Sequence, residues 1–168
     1  MISLQKVAVV MGSDSDLPVI KKTLAQLRNF EVPYEVRVIS AHRTPDLAEQ
    51  FAKEAKDKGF GVIIAAAGKA AHLGGVIASY TTLPVIGLPI KSSTMDGLDS
   101  LLSIVQMPKG VPVATVAIDG GENAGLLAVQ MLAIAEKSLQ DKLEEFKLKM
   151  AEEIFKKDKQ LREKGESL

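Results

Sequence analysis

The chain contains no cysteine, which excludes disulfides, thiolate zinc sites and a cysteine nucleophile and fits a reducing compartment. Tryptophan is also absent, and Tyr34 and Tyr80 are the only tyrosines, so a flavin-binding electron carrier would find few rings to flank its flavin. Neither sign of charge is in excess. There are 21 basic and 21 acidic residues, so no global field favours nucleic acid or anionic lipid, and any anion selectivity must be local. No apolar run approaches the ~20 residues of a membrane helix. The start, Met1-Ile2-Ser3-Leu4-Gln5-Lys6, runs into a strand pattern with no charged leader or apolar h-region. The expectation is a soluble cytoplasmic protein that binds neither nucleic acid nor membrane.

The 168 residues, 46% of them hydrophobic, suit one domain with a substantial core. Short apolar runs alternate with helical patterns. Strands are expected at Lys6–Met11, Tyr34–Ile39, Gly61–Ala67, Pro84–Pro89 and Pro112–Ile118, read as continuous apolar runs covered on both faces. Between them, Ile20, Leu24 and Leu27 keep helical spacing, as do Leu127, Met131 and Ile134. Thr44-Pro45 reads as an N-cap and first helical turn, and Asp16 with Pro18 reads similarly. The apolar segment Ser100–Pro108 reads as core or interface. This alternation predicts an α/β fold with a doubly wound parallel sheet and right-handed crossovers.

Residues 137–168 are dense in charge and carry an apolar stripe of Leu139, Leu143, Phe146, Met150, Ile154 and Leu161. A helix from Lys137 to Lys164 would be roughly 40 Å long. It either packs on its own sheet or overhangs onto a neighbouring subunit. The expected division is a catalytic α/β domain over 1–136 and a helical extension of that domain over 137–168.

Only two histidines occur, and each follows an expected strand and precedes an expected helix. His42 lies in Ser40-Ala41-His42-Arg43-Thr44-Pro45, and His72 in Gly68-Lys69-Ala70-Ala71-His72-Leu73. A third loop, Gly12-Ser13-Asp14-Ser15-Asp16, follows the first strand. In an open α/β sheet the carboxyl ends of the strands are where ligands bind. Each residue has a plain alternative. The Ser13 and Ser15 loop either holds phosphate on helix N–H groups and hydroxyls or is only a capping turn. Asp16 would repel phosphate and suits ribose hydroxyls. Arg43, one of four arginines, either presents its fork of donors to phosphate or makes a surface ion pair. His42 is either a general acid/base or a histidine that caps a strand end. The small Gly68–Ala71 loop either admits a planar ring or a small gas molecule or serves close helix–sheet packing. Lys69 is an odd cation there and is expected to turn outward, with its stem on apolar neighbours. No hydrolase triad order or nucleophile elbow is present. Two histidines without suitably spaced carboxylates make a weak metal case. A receiver-type signalling module would need an aspartate where Ala65-Ala66-Ala67 ends the third strand.

Taken together, Met11–Asp16, Ser40–Asp46, Ala67–Gly75, Leu83–Pro89, Asp99–Pro108, Gly110–Thr115 and Asn123–Gly125 resemble the class I N5-carboxyaminoimidazole ribonucleotide mutases of purine biosynthesis. The resemblance covers roughly residues 6–135. It implies a flavodoxin-like three-layer sandwich, a homo-octamer whose long C-terminal helix packs on neighbours, and no metal, nucleotide triphosphate or organic cofactor. The implied substrate is a small phosphorylated ribonucleotide, with His42 catalytic. The implied contacts to it are Gly12, Ser13, Ser15, Asp16, Ser40, Ala41, Arg43, Gly68, Lys69, Ala70, Ala71, His72 and Leu73. The family usually has Gly in place of Lys69 and Pro in place of Gly74. The competing functions are a carboxylase that draws on free carbon dioxide and a non-catalytic nucleotide-binding module.

Overall fold

A computed structural model describes residues 4–165. The expected segments 1–136 and 137–168 therefore have their outer ends, 1–3 and 166–168, outside the described residues, as does the Met1–Ser3 start. Five strands, β1 (Lys6–Met11), β2 (Tyr34–Val38), β3 (Phe60–Gly68), β4 (Val85–Ile90) and β5 (Ala114–Thr115), form one parallel sheet in the order β2-β1-β3-β4-β5. That is the flavodoxin-like order, with its switch point between β1 and β3. The helices are α1 (Leu17–Asn29), α2 (Pro45–Glu54), α3 (Leu73–Tyr80), α4 (Leu98–Val105), α5 (Gly121–Ala133) and α6 (Lys137–Gly165), and a 3₁₀ turn spans Asp14–Asp16.

The central strands are buried because both of their faces are covered. Val7, Val9, Ile64, Ile86 and Leu88 point to the layer of α1, α5 and α6, while Ala8, Val10, Ile63, Ala65 and Val85 point to the layer of α2, α3 and α4. Each fully buried Val, Leu or Ile side chain among them contributes roughly 1.5–3 kcal/mol. On the first face the backbones of α1 and α5 come very close. A Cβ at Gly121 would lie 2.5 Å from the Val19 carbonyl oxygen, and Thr23 Oγ1 donates to the Gly121 carbonyl at 2.8 Å.

β1, β3 and β4 fall within a residue of the expected spans. The edges differ. β2 is half-exposed and alternates, because nothing flanks it on one side, and Glu35 and Arg37 interrupt its apolar residues. Its ladder ends at Val38, although the buried Ile39 still donates to the Met11 carbonyl at 2.9 Å. β5 shrinks from Pro112–Ile118 to two residues. Pro112 has no N–H to give, and beyond Thr115 only Val116 and Asp119 donate to β4 carbonyls, at 3.0 and 2.8 Å.

The helices show which of the expected apolar stripes are covered. On α5 the buried face is Ala124, Ala128, Val129 and Leu132; Leu127 and Met131 are only partly covered, and Ile134 is 83% exposed at the helix end. On α4, Ile104 and Ser100 are buried while Leu98, Leu102 and Val105 lie on an exposed side. α6 docks through Leu139, Leu143 and Phe146, with Phe146 against Phe30 at a ring separation of 5.6 Å and Lys142 paired with Glu31. Beyond that the stripe leaves the body of the chain: Met150, Ile154, Phe155 and Leu161 are exposed. Among the described residues no helix is long and apolar enough to cross a membrane.

Candidate active site

The four loops at the carboxyl ends of β1, β2, β3 and β4 enclose a cleft of about 460 Å³ that straddles the switch point. His42 and every implied substrate contact line it except Ala71, which is 1% exposed and packs in the core beneath α2 and α3.

From β1 come Gly12, Ser13, Ser15 and Asp16. Ser13 caps the 3₁₀ turn, its hydroxyl oxygen accepting from the Ser15 N–H at 3.3 Å and lying 3.0 Å from Ser15 Oγ. Asp16 occupies the N-cap position of α1, but its side chain makes no cap bond; Ser15 Oγ donates to it at 3.2 Å instead. Asp16 is 7% exposed. Burial raises its carboxyl above the ordinary value of 3.8; the Asp14 and Asp119 carboxylates add to the rise, and hydrogen bonds from the Ser15 side chain and the Ser13 backbone oppose it.

From β2 come Ser40, Ala41, His42 and Arg43. Thr44 sits at the N-cap of α2 and Pro45 opens the helix, as the sequence implies, yet the Thr44 hydroxyl faces backward. It accepts from the Ser40 N–H and donates to the Ser40 carbonyl, both at 3.0 Å. This closes the Ser40–Thr44 turn and displays His42 and Arg43, two of the three residues inside it. Arg43 Nη2 donates to the Gly12 carbonyl at 2.8 Å and Nε to Ser40 Oγ at 3.3 Å. A guanidinium has five N–H donors, so three remain for a ligand.

From β3 come Ala67, Gly68, Lys69, Ala70, His72 and Leu73. The loop is tight: the Ala71 and His72 N–H groups donate to the Lys69 and Ala70 carbonyls, each at 2.9 Å. Lys69 is exposed and makes no side-chain ion pair or hydrogen bond among the described residues. It is also part of the cleft lining.

The loops deliver the two histidines to each other. His42 Nε2 lies 2.9 Å from His72 Nδ1, with the rings edge-to-face, 5.0 Å apart and at 80°. At that spacing one nitrogen must carry the hydrogen and the other must offer its lone pair. Both rings are exposed to the cleft. Among the described residues no three His, Asp or Glu side chains gather to hold a metal ion.

The β4 loop was missed. Ile90, Lys91, Ser92 and Ser93 complete the lining. Ser92 is held by Asp99, donating to its carboxylate at 2.7 Å. A signal for it exists: Pro89-Ile90-Lys91-Ser92-Ser93 repeats the arrangement of a buried strand followed by a small polar loop. The cleft as a whole carries Arg43, Lys69 and Lys91 against the Asp16 carboxylate. A chain of zero net charge thus concentrates positive charge where the histidines meet.

Comparison with known proteins gives the family. A family model described as AIR carboxylase matches residues 6–153. The N5-carboxyaminoimidazole ribonucleotide mutase of Pyrococcus horikoshii is 56% identical over 159 residues, covering 95% of this chain and 90% of that protein. The mutase of the same name from Thermotoga maritima is 52% identical over 162 residues, covering 96% and 95%. The phosphoribosylaminoimidazole carboxylase of Candida glabrata is 55% identical over 159 residues, 95% of this chain but only 28% of that longer protein. Among solved structures, Treponema denticola PurE superimposes with a TM-score of 0.85 at 28% identity, covering 92% of this chain and 97% of that one. The chain belongs to the AIR carboxylase family.

Proposed function

We propose that this chain is an N5-carboxyaminoimidazole ribonucleotide mutase, an isomerase of purine biosynthesis that moves a carboxylate from the exocyclic nitrogen of an aminoimidazole ribonucleotide to ring carbon C4. The observation that carries this reading is the cleft itself. It sets an imidazole pair between loops suited to a phosphorylated ribose and a loop of Gly68, Lys69 and Ala70 with space for a ring and a small molecule. The family membership and the names of the two archaeal and bacterial mutases support it.

The chemistry balances with one proton carrier. The N–carboxylate bond breaks, its electron pair stays on nitrogen, and His42 supplies a proton there, leaving aminoimidazole ribonucleotide and carbon dioxide. C4, electron-rich like an enamine carbon, attacks the trapped carbon dioxide and a C–C bond forms. His42 then removes the C4 proton, which restores the aromatic ring and reloads the histidine. A positioned acid/base of this kind contributes ~10²–10⁴-fold, and holding carbon dioxide against C4 supplies the proximity effect. Ser13 and the three free N–H groups of Arg43 bind the phosphate, Asp16 binds the ribose hydroxyls, and the main chain and small side chains of Gly12, Ser15, Ser40, Ala41, Gly68, Ala70 and Leu73 shape the cleft.

The working form is a homo-octamer in the cytoplasm. Residues 1–136 form the catalytic domain, and the 137–168 extension packs on neighbours through the exposed Met150, Ile154, Phe155 and Leu161. The deciding assay follows both carboxyaminoimidazole ribonucleotide isomers with and without added bicarbonate. Interconversion without bicarbonate is the expected result. Activity that starts from aminoimidazole ribonucleotide and requires bicarbonate would make the protein a carboxylase instead.

A further inference from the structure

The cations of the cleft differ in freedom. Arg43 is tied to the Gly12 carbonyl and Ser40 Oγ, and Lys91 Nζ pairs with Asp96 at 3.2 Å. Lys69 lines the same cleft and meets no anion among the described residues. The fold gains little from it. Its backbone has φ +55°, the left-handed region that glycine enters freely and a residue with a Cβ enters at a cost. Its side chain is exposed and packs into neither core cluster.

Its place in the cleft is defined. Lys69 stands three residues before His72 in a turn fixed by the two 2.9 Å backbone bonds, and His72 in turn meets His42. Ser13 and Arg43 come from the loops after β1 and β2, whereas Lys69 comes from the loop after β3, the one that also carries His72. A free ammonium at the end of a four-carbon stem can reach a small anion at the reacting end of the ligand. Resting on the mutase reading, we infer that Lys69 is a specificity-determining residue that binds the substrate's carboxylate, in both isomers, and thereby separates carboxylated ribonucleotides from the decarboxylated one.

The test compares ligands that differ in that group alone. Calorimetric affinities for the C4-carboxylated ribonucleotide and for aminoimidazole ribonucleotide would be measured on the full-length protein, Lys69→Met and Lys69→Gly, with circular dichroism as the check on folding. Both variants are expected to bind the carboxylated compound about 3–10-fold more weakly, the scale of one partly solvated charge-assisted contact. Both should bind aminoimidazole ribonucleotide within about two-fold of the parent, and Lys69→Arg should keep the parent's preference. Equal weakening of both ligands would move the ammonium to the phosphate and overturn the assignment. Unchanged affinity for the carboxylated compound would overturn it as well. A parent protein that binds both ligands but does not interconvert the isomers would defeat the mutase reading while leaving this comparison intact.

Discussion

His42 and His72 face each other nitrogen to nitrogen, 2.9 Å apart, across the switch point of the sheet. Only one hydrogen fits between them, so the two rings form a unit: the tautomer of one sets the lone pair of the other. Of the two, His42 stands beside Arg43 and is the one assigned to proton transfer. Replacing His42 with Asn should leave the fold and nucleotide binding in place while turnover falls by at least ~10²-fold. Turnover close to that of the parent, measured on the isomer pair, would remove His42 from the mechanism.

Arg43 links two loops as well as offering charge. Arg43→Ala removes the 2.8 Å bond to the Gly12 carbonyl together with the three free donors. The expected loss in affinity for the ribonucleotide is roughly 1.5–3 kcal/mol, the worth of hydrogen bonds to a charged group. Arg43→Lys should recover little of it, because an ammonium cannot reproduce the fork. Unaltered Michaelis constants for both isomers in Arg43→Ala would place the phosphate elsewhere.

Asp16 predicts a stability that depends on pH. Burial raises its carboxyl above 3.8, so the folded chain holds this proton more tightly than the unfolded one. The ionised group therefore costs stability. That cost is absent below about pH 3.8, grows as pH rises towards the raised folded value and is complete above it. Asp16→Asn should melt higher than the parent at neutral pH, and the gap should close as pH falls into the carboxylate range. The same variant should lose affinity for ribonucleotide. A melting difference that does not vary with pH would show that burial of this carboxylate has no energetic consequence.

The last helix has a docked part and an exposed part. Leu139, Leu143 and Phe146 dock on the core, whereas Met150, Ile154, Phe155 and Leu161 are exposed. Deleting residues 148–168 should leave a cooperative thermal transition and give smaller species in sedimentation. An oligomer of unchanged size would show that this part of α6 is no interface.

What the sequence disclosed follows from what each signal measures. Buried parallel strands are apolar on both faces, so β1, β3 and β4 stand out as runs, and the polar residues just after β1, β2 and β3 mark the cleft. Edge strands carry a weaker signal: Tyr34, Val36 and Val38 alternate with Glu35 and Arg37, and Pro112 cannot join a ladder. Ile134 keeps helical spacing with Leu127 and Met131 yet faces solvent, since periodicity gives a stripe but not which stripe is covered. The contact between His42 and His72 spans 30 positions and depends on two turns closing in register, which no local pattern encodes. Ser92 and Ser93 give a weaker signal, because the loop after β4 holds no histidine or arginine.

The brevity of β5 has a further consequence. An open sheet exposes unpaired N–H and C=O groups along its two outer strands, and a long, straight, apolar border there is a template on which other chains stack. Here one border is only Ala114–Thr115, preceded by Pro112, and the other, β2, carries Glu35 and Arg37 with Lys6 paired to Glu35 nearby. Neither offers a strand-length apolar ribbon. A fold that must leave two borders open thus limits strand-by-strand aggregation, and concentrated solutions should remain clear so long as the native sheet stays closed.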